Sequence, residues 1–126
     1  MIYLSSNAFN KADEIRMTEH SSSDTLTVNN VVGRHKIVGA GTINLQLPVI
    51  TDKLLDKEVT MLKWSDAVCA FLPGAGNTIA DGADDTIVIR NSQATQAKVA
   101  KVTLRAVSLT EWALGSTVGS WVTEPA

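Results

Sequence analysis

The chain predicts an all-β fold, an antiparallel β-sandwich or jelly-roll-like barrel led by an extended N-terminal arm. Three observations carry that expectation. Short apolar/polar alternations recur after Gly33, Gly, Asn and Asp turns punctuate them at regular spacing, and no apolar stripe of helical period is sustained. At 126 residues, 44% of them hydrophobic, the chain suffices for one domain with its own core.

The first 23 residues read as the arm. Ile2, Leu4, Phe9, Ile15 and Met17 are scattered without a period, and Ala12 to Met17 is long enough for a helical turn or two at most. Ser21-Ser22-Ser23 then reads as a flexible joint. A segment of such mixed polarity orders against a partner rather than alone. The body, residues 24–126, begins with Leu26 and Val28 alternating with Thr25 and Thr27, one side of a first strand.

Arg34 to Val38 gives a second strand, and Gly39-Ala40-Gly41 breaks the chain. In Thr42–Leu47 the alternation is strict: Ile43, Leu45 and Leu47 face in, Thr42, Asn44 and Gln46 face out, and Pro48, which has no N–H for a ladder, ends the run. Thr51 to Lys57 suits a short helix or turn, and Val59 to Trp64 is the next strand. Ala67 to Leu72 is apolar throughout, as a strand buried on both faces would be.

Loops follow at Pro73–Asn77 and Asp81–Asp85, bridged by Thr78-Ile79-Ala80, and Thr86–Arg90 is a β-branched strand. Asn91 to Ala97 is polar and reads as a loop. Val99 to Val107 carries the clearest alternation, with Ala100, Val102, Leu104 and Ala106 on one side. A last hairpin is expected from Ser108–Leu114 against Val118–Val122, closed by Gly115-Ser116-Thr117.

The net charge of −2 leaves no basic stripe for nucleic acid and no polybasic patch for a membrane surface. No apolar run reaches the ~20 residues that span a bilayer, and the N-terminus lacks a signal-peptide pattern. Cys69 is the one cysteine, set in an apolar run where a thiol behaves as a small hydrophobe.

No constellation predicts a catalytic, cofactor or metal site, and the expectation is that the protein is not an enzyme. Gly39-Ala40-Gly41 and Gly74-Ala75-Gly76 precede β-like segments instead of the helix a phosphate loop needs. Asp81, Asp84 and Asp85 lack the alternate ligands and closing Glu of a calcium loop and read as a solvated turn. His20 and His35 have no partners at zinc-ligand spacing. Trp64, Trp112 and Trp121 suit either a sugar-stacking platform or, as burial economy favours, the core and a subunit boundary.

Three stretches carry a resemblance. They are Gly41-Thr42-Ile43-Asn44-Leu45-Gln46-Leu47-Pro48, the run Pro73-Gly74-Ala75-Gly76-Asn77-Thr78-Ile79-Ala80-Asp81-Gly82, and the closing Glu111-Trp112 with Gly119-Ser120-Trp121. Together they resemble the small β-sandwich modules of tailed-bacteriophage virion proteins: head decoration (cement) proteins, head fibres and tail-fibre tips. The similarity covers most of the body and not the arm, and it supplies no catalytic residues.

The resemblance implies a capsid decoration protein, made in the host cytoplasm, that binds the major capsid protein on the virion surface as a homotrimer. The arm residues Ile2, Tyr3, Leu4 and Phe9 are the expected capsid contacts. A body reached within two dozen residues, with no shaft before it, favours that expectation over the alternative, a fibre tip binding host surface glycan through the tryptophans.

Overall fold

The computed structural model describes residues 17–93 and 99–126. Its strands are β1 (Met17–His20), β2 (Asp24–Thr25), β3 (Gly33–Ile37), β4 (Thr42–Gln46), β5 (Glu58–Lys63), β6 (Val68–Leu72), β7 (Thr78–Ile79), β8 (Ile87–Asn91), β9 (Ala100–Ala106), β10 (Glu111–Val118) and β11 (Val122–Pro125). They form two sheets packed face to face, ordered β1-β3-β5-β9-β10-β7 and β11-β8-β6-β4-β2. The all-β sandwich expected from the alternation is therefore present.

Strand direction differs from the antiparallel expectation, because both sheets are mixed. The pairs β1–β3, β3–β5, β2–β4, β4–β6 and β7–β10 are parallel, and β5–β9, β9–β10, β6–β8 and β8–β11 are antiparallel. Successive strands from β1 to β8 fall in alternate sheets. A parallel pair needs a crossover, and here the crossover is a strand of the facing sheet instead of a helix. Side-chain alternation is the same in either direction, so the sequence carries no direct mark of the difference.

The core follows from the inward phase of each strand. Val59, Met61, Val102, Leu104, Ala106 and Trp112 from the first sheet enclose one buried cluster with Ile43, Leu45, Cys69, Phe71 and Ile89 from the second. Each such aliphatic or aromatic side chain contributes roughly 1.5–3 kcal/mol by leaving water. Ile43, Leu45 and Leu47 are buried, and so are Ala100, Val102, Leu104 and Ala106, in the phases read from sequence. A 3₁₀ turn at Asp52–Leu54 occupies the expected helix-or-turn segment.

Two local expectations are refined and two corrected. Met17–His20, read within the arm, pairs in the sandwich as the edge strand β1. Leu26–Val28 is not a strand: Asn30 Oδ1 accepts the Thr27 N–H at 2.7 Å, and that side-chain bond closes a turn in place of a ladder. Thr78-Ile79, read as a bridge between two loops, is the short strand β7, paired with Glu111 and Trp112.

The second correction is the final hairpin. β10 runs unbroken through Gly115-Ser116-Thr117 with a bulge between Leu114 and Thr117, and β11 crosses to the other sheet to pair with β8. A Cβ on Gly115 would stand 3.1 Å from the Thr103 carbonyl oxygen, so the glycine serves close strand approach. The chain reverses instead at Gly119, whose φ of +88° suits glycine. Bulges and turns draw on the same residues, which is why the sequence misled here.

Candidate interaction surfaces

The outer face of the first sheet is charged and largely paired with itself. Arg105 Nη2 donates to Glu58 Oε2 at 2.9 Å, Lys36 Nζ lies 3.7 Å from Glu19 Oε1, and the Thr60 and Thr103 hydroxyls meet at 2.9 Å. A shallow depression of about 310 Å³ opens beside it, lined by Arg34, Lys57, Glu58 and Arg105 among others. Mixed charge of this kind is a solvated face.

The outer face of the second sheet is different. It carries the ion pair of Arg90 Nη1 with Glu124 Oε1 at 2.8 Å, between β8 and β11. Ala70 points outward from the central strand β6, between Asn44 and Arg90 in register, yet is wholly buried by its neighbours. β6 is thus covered on both faces at its centre, as its unbroken apolar run foretold.

A third surface is an open edge. β7 covers only Glu111 and Trp112 of β10, leaving the edge from Ala113 to Val118 without a ladder partner among the described residues. Leu114 and Val118 are each nearly half exposed there, and no charged residue occurs between Ala113 and Thr123. Edge strands of monomers are usually guarded by charge or proline. Only the bulge at Gly115 interrupts this one.

The predicted site residues scatter over these surfaces. Ile2, Tyr3, Leu4 and Phe9 lie outside the described residues. Trp112 is 1% exposed and sits in the core, so it presents no face to a ligand. Trp121 is partly buried and its Nε1 donates to the Val118 carbonyl at 2.9 Å. Trp64 is 54% exposed, but Lys36 Nζ lies 4.6 Å from its ring centroid and occupies one face by cation–π attraction. The three do not make a shared platform.

Two carboxylates of the acidic loop accept hydrogen bonds from nearby groups. Asp84 accepts the Thr86 N–H at 2.8 Å and the Thr86 hydroxyl, which hold its carboxyl below the usual range, and Asp85 accepts the Gly76 N–H at 2.8 Å. Among the described residues no group of three His, Cys, Asp or Glu side chains is placed to hold a metal ion.

Two buried polar arrangements escaped sequence reasoning. In the first, Lys63 is wholly buried at the end of β5 and reaches across the sandwich, donating to Asn91 Oδ1 at 2.9 Å and to the Gln93 carbonyl. Asn91 Nδ2 in turn donates to the Ser120 carbonyl at 3.0 Å, tying β5, β8 and the β10–β11 turn together. The inward phase of Val59 and Met61 already marked position 63 as interior, which was the available signal.

The second pairs two histidines that the sequence set fifteen positions apart. His20 Nε2 and His35 Nδ1 lie 2.9 Å apart between β1 and β3, with the rings stacked at 5.1 Å. Strand phase places both side chains inward, but only the parallel β1–β3 register brings them together.

Cys69 is buried at the core, as its apolar context implied. Burial pushes its thiol up to about 11, and the Lys63 cation lowers it only in part. At pH 8 the folded protein should therefore resist alkylation by iodoacetamide, while urea-unfolded chain labels fully; equal labelling of both in intact-mass spectra would contradict the placement.

Comparison with known proteins adds no relative to this description: no protein-family model, no curated protein and no solved structure matches the chain.

Proposed function

We propose that this chain is a bacteriophage virion structural protein, a capsid decoration (cement) protein that binds and stabilises the head surface as a homotrimer. The observation that carries the self-association is the uncharged open edge of β10, with Leu114 and Val118 exposed along it. A closed ring of copies buries such an edge without leaving another exposed, as cyclic symmetry requires. The resemblance of the Gly41–Pro48, Pro73–Gly82 and Glu111–Trp121 stretches to small virion modules supplies the rest.

Stabilisation of the shell would then be a mass-action effect, since a ligand that binds only the assembled lattice shifts assembly towards it. Three joined copies on symmetric sites add avidity without stronger single contacts. The charged outer face of the first sheet stays in water in this arrangement.

Sedimentation analysis should give three chain masses at micromolar concentration, and Leu114→Lys with Val118→Lys should give one. A wild-type monomer would remove the trimer. Immunogold labelling of phage particles with antibody to the chain should then mark heads. Label confined to tail tips would replace this reading with a glycan-binding fibre tip, for which Trp64 is the exposed stacking candidate. Absence of label would remove both.

A further inference from the structure

β1 is held to the sandwich by a single buried side chain. Of its four residues, Met17 is half-buried, Thr18 and Glu19 are exposed, and His20 alone is buried, at 6% exposure. Both residues of β2 that follow are exposed as well. Among the described residues the strand lies at the edge of its sheet and pairs only with β3. Its remaining attachments are the parallel ladder, the Val38 N–H to His20 carbonyl bond of 2.9 Å and the loose Lys36–Glu19 pair. Surface ion pairs of that kind contribute little.

The protons around His20 follow from its partners. The Val31 carbonyl can only accept, so His35 Nε2, 2.8 Å away, carries a hydrogen. Neutral His35 then has a bare Nδ1, and it accepts from His20 Nε2. That leaves His20 Nδ1 bare and 3.8 Å from the Asp24 carboxylate. A first added proton on His20 Nδ1 faces Asp24 and leaves the chain of bonds intact. A second has only His35 Nδ1 to occupy, and there it sets N–H against N–H across the 2.9 Å contact.

The geometry points to an acid-labile latch: protonation of the stacked His20–His35 pair releases β1 while the remaining strands of both sheets hold. Among the described residues the charged group that faces the pair is Asp24, from β2. Glu19, Arg34 and Lys36 lie in the opposite, outward phase of β1 and β3, and β5 contributes Lys63, which is turned to Asn91. The facing sheet offers Ile43, Leu45 and Phe71, with Cys69 as its titratable group, neutral in this range.

The sign agrees. Burial holds both imidazoles below 6.5; Asp24 opposes it at both rings, and the Val31 bond opposes it at His35. Released β1 therefore binds more protons than docked β1 below that value. Docking is fully supported above pH 6.5 and weakens as pH falls below it towards the depressed docked values.

Amide hydrogen exchange on the full chain, followed by NMR and corrected for intrinsic rates, tests this. Between pH 7.5 and 5, protection of the Val38 amide should fall at least about ten-fold while β5 and β9 amides keep theirs. The midpoint should coincide with titration of the two imidazoles in the same samples. His20→Gln with His35→Gln, if it docks β1 at neutral pH, should hold Val38 protection constant across the range. Val38 protection that stays level in the wild type, that falls only together with β5 and β9, or that falls equally in the double variant overturns the latch. Should the variant leave β1 undocked, the wild-type coincidence of midpoints decides.

Discussion

Asn91→Ala should cost about 3–5 kcal/mol in urea melts, whereas Lys63→Met should cost nothing or add stability. The contrast arises because the two substitutions treat one buried cation differently. Removing the Asn91 amide leaves the wholly buried Lys63 ammonium with the Gln93 carbonyl alone, and strips the Ser120 carbonyl and the Gln93 N–H of their partner. An uncompensated charge away from water is among the few single changes with so large a penalty. Methionine at 63 fills a similar volume and removes the charge that needed solvating, while Asn91 Oδ1 keeps the Gln93 N–H at 3.1 Å. An Asn91→Ala loss under about 1 kcal/mol, or a Lys63→Met loss above about 3, would reverse the account.

Trp112→Ala should cost a further about 3–5 kcal/mol at an independent site, because it empties the largest fully buried side chain of the core. Trp112→Phe separates two contributions. Among the described residues the buried indole Nε1 has no hydrogen-bond partner, a standing cost that phenylalanine removes. The smaller ring leaves a cavity, so the net loss should be about 1–2 kcal/mol, less than volume alone would take. Urea midpoints of both variants read by circular dichroism check this; a Phe variant as unstable as the Ala variant would mean that the indole nitrogen is satisfied in solution.

Much of the fold was legible because side-chain alternation is a local code. The phases of Thr42–Leu47, Glu58–Lys63 and Ala100–Ala106 are fixed by which residues prefer water, and the structure keeps them. Direction and partner are not local. Met17 meets Arg34 and Arg34 meets Thr60 in parallel, and nothing in those residue types distinguishes this from an antiparallel meander. Gly115-Ser116-Thr117 shows the same limit from the other side, since turn chemistry there serves a bulge.

The candidate surfaces divide in the same way. The missing charge from Ala113 to Thr123 is visible in the sequence, but its meaning depends on β7 stopping after two pairs. His20 and His35 stand at no metal-ligand spacing along the chain, and they meet through sheet register instead. Lys63 reads as one more lysine until the phase of β5 is followed to its end.

Alternation of successive strands between the two sheets governs how the protein must fold. The β9–β10 pair is the one hairpin of neighbouring strands among the described residues; every other pairing waits for a strand to form elsewhere first. Local nuclei are therefore scarce, and the entropy of closing long loops precedes most of the contacts that reward it. Folding belongs in the millisecond-to-second regime of high-contact-order β proteins. The first sheet cannot be completed until β9, starting at Ala100, inserts between β5 and β10. A nascent chain thus carries the unpaired edges of β5 and β6 until its last third is made, and synthesis rate, more than final stability, sets its exposure to aggregation.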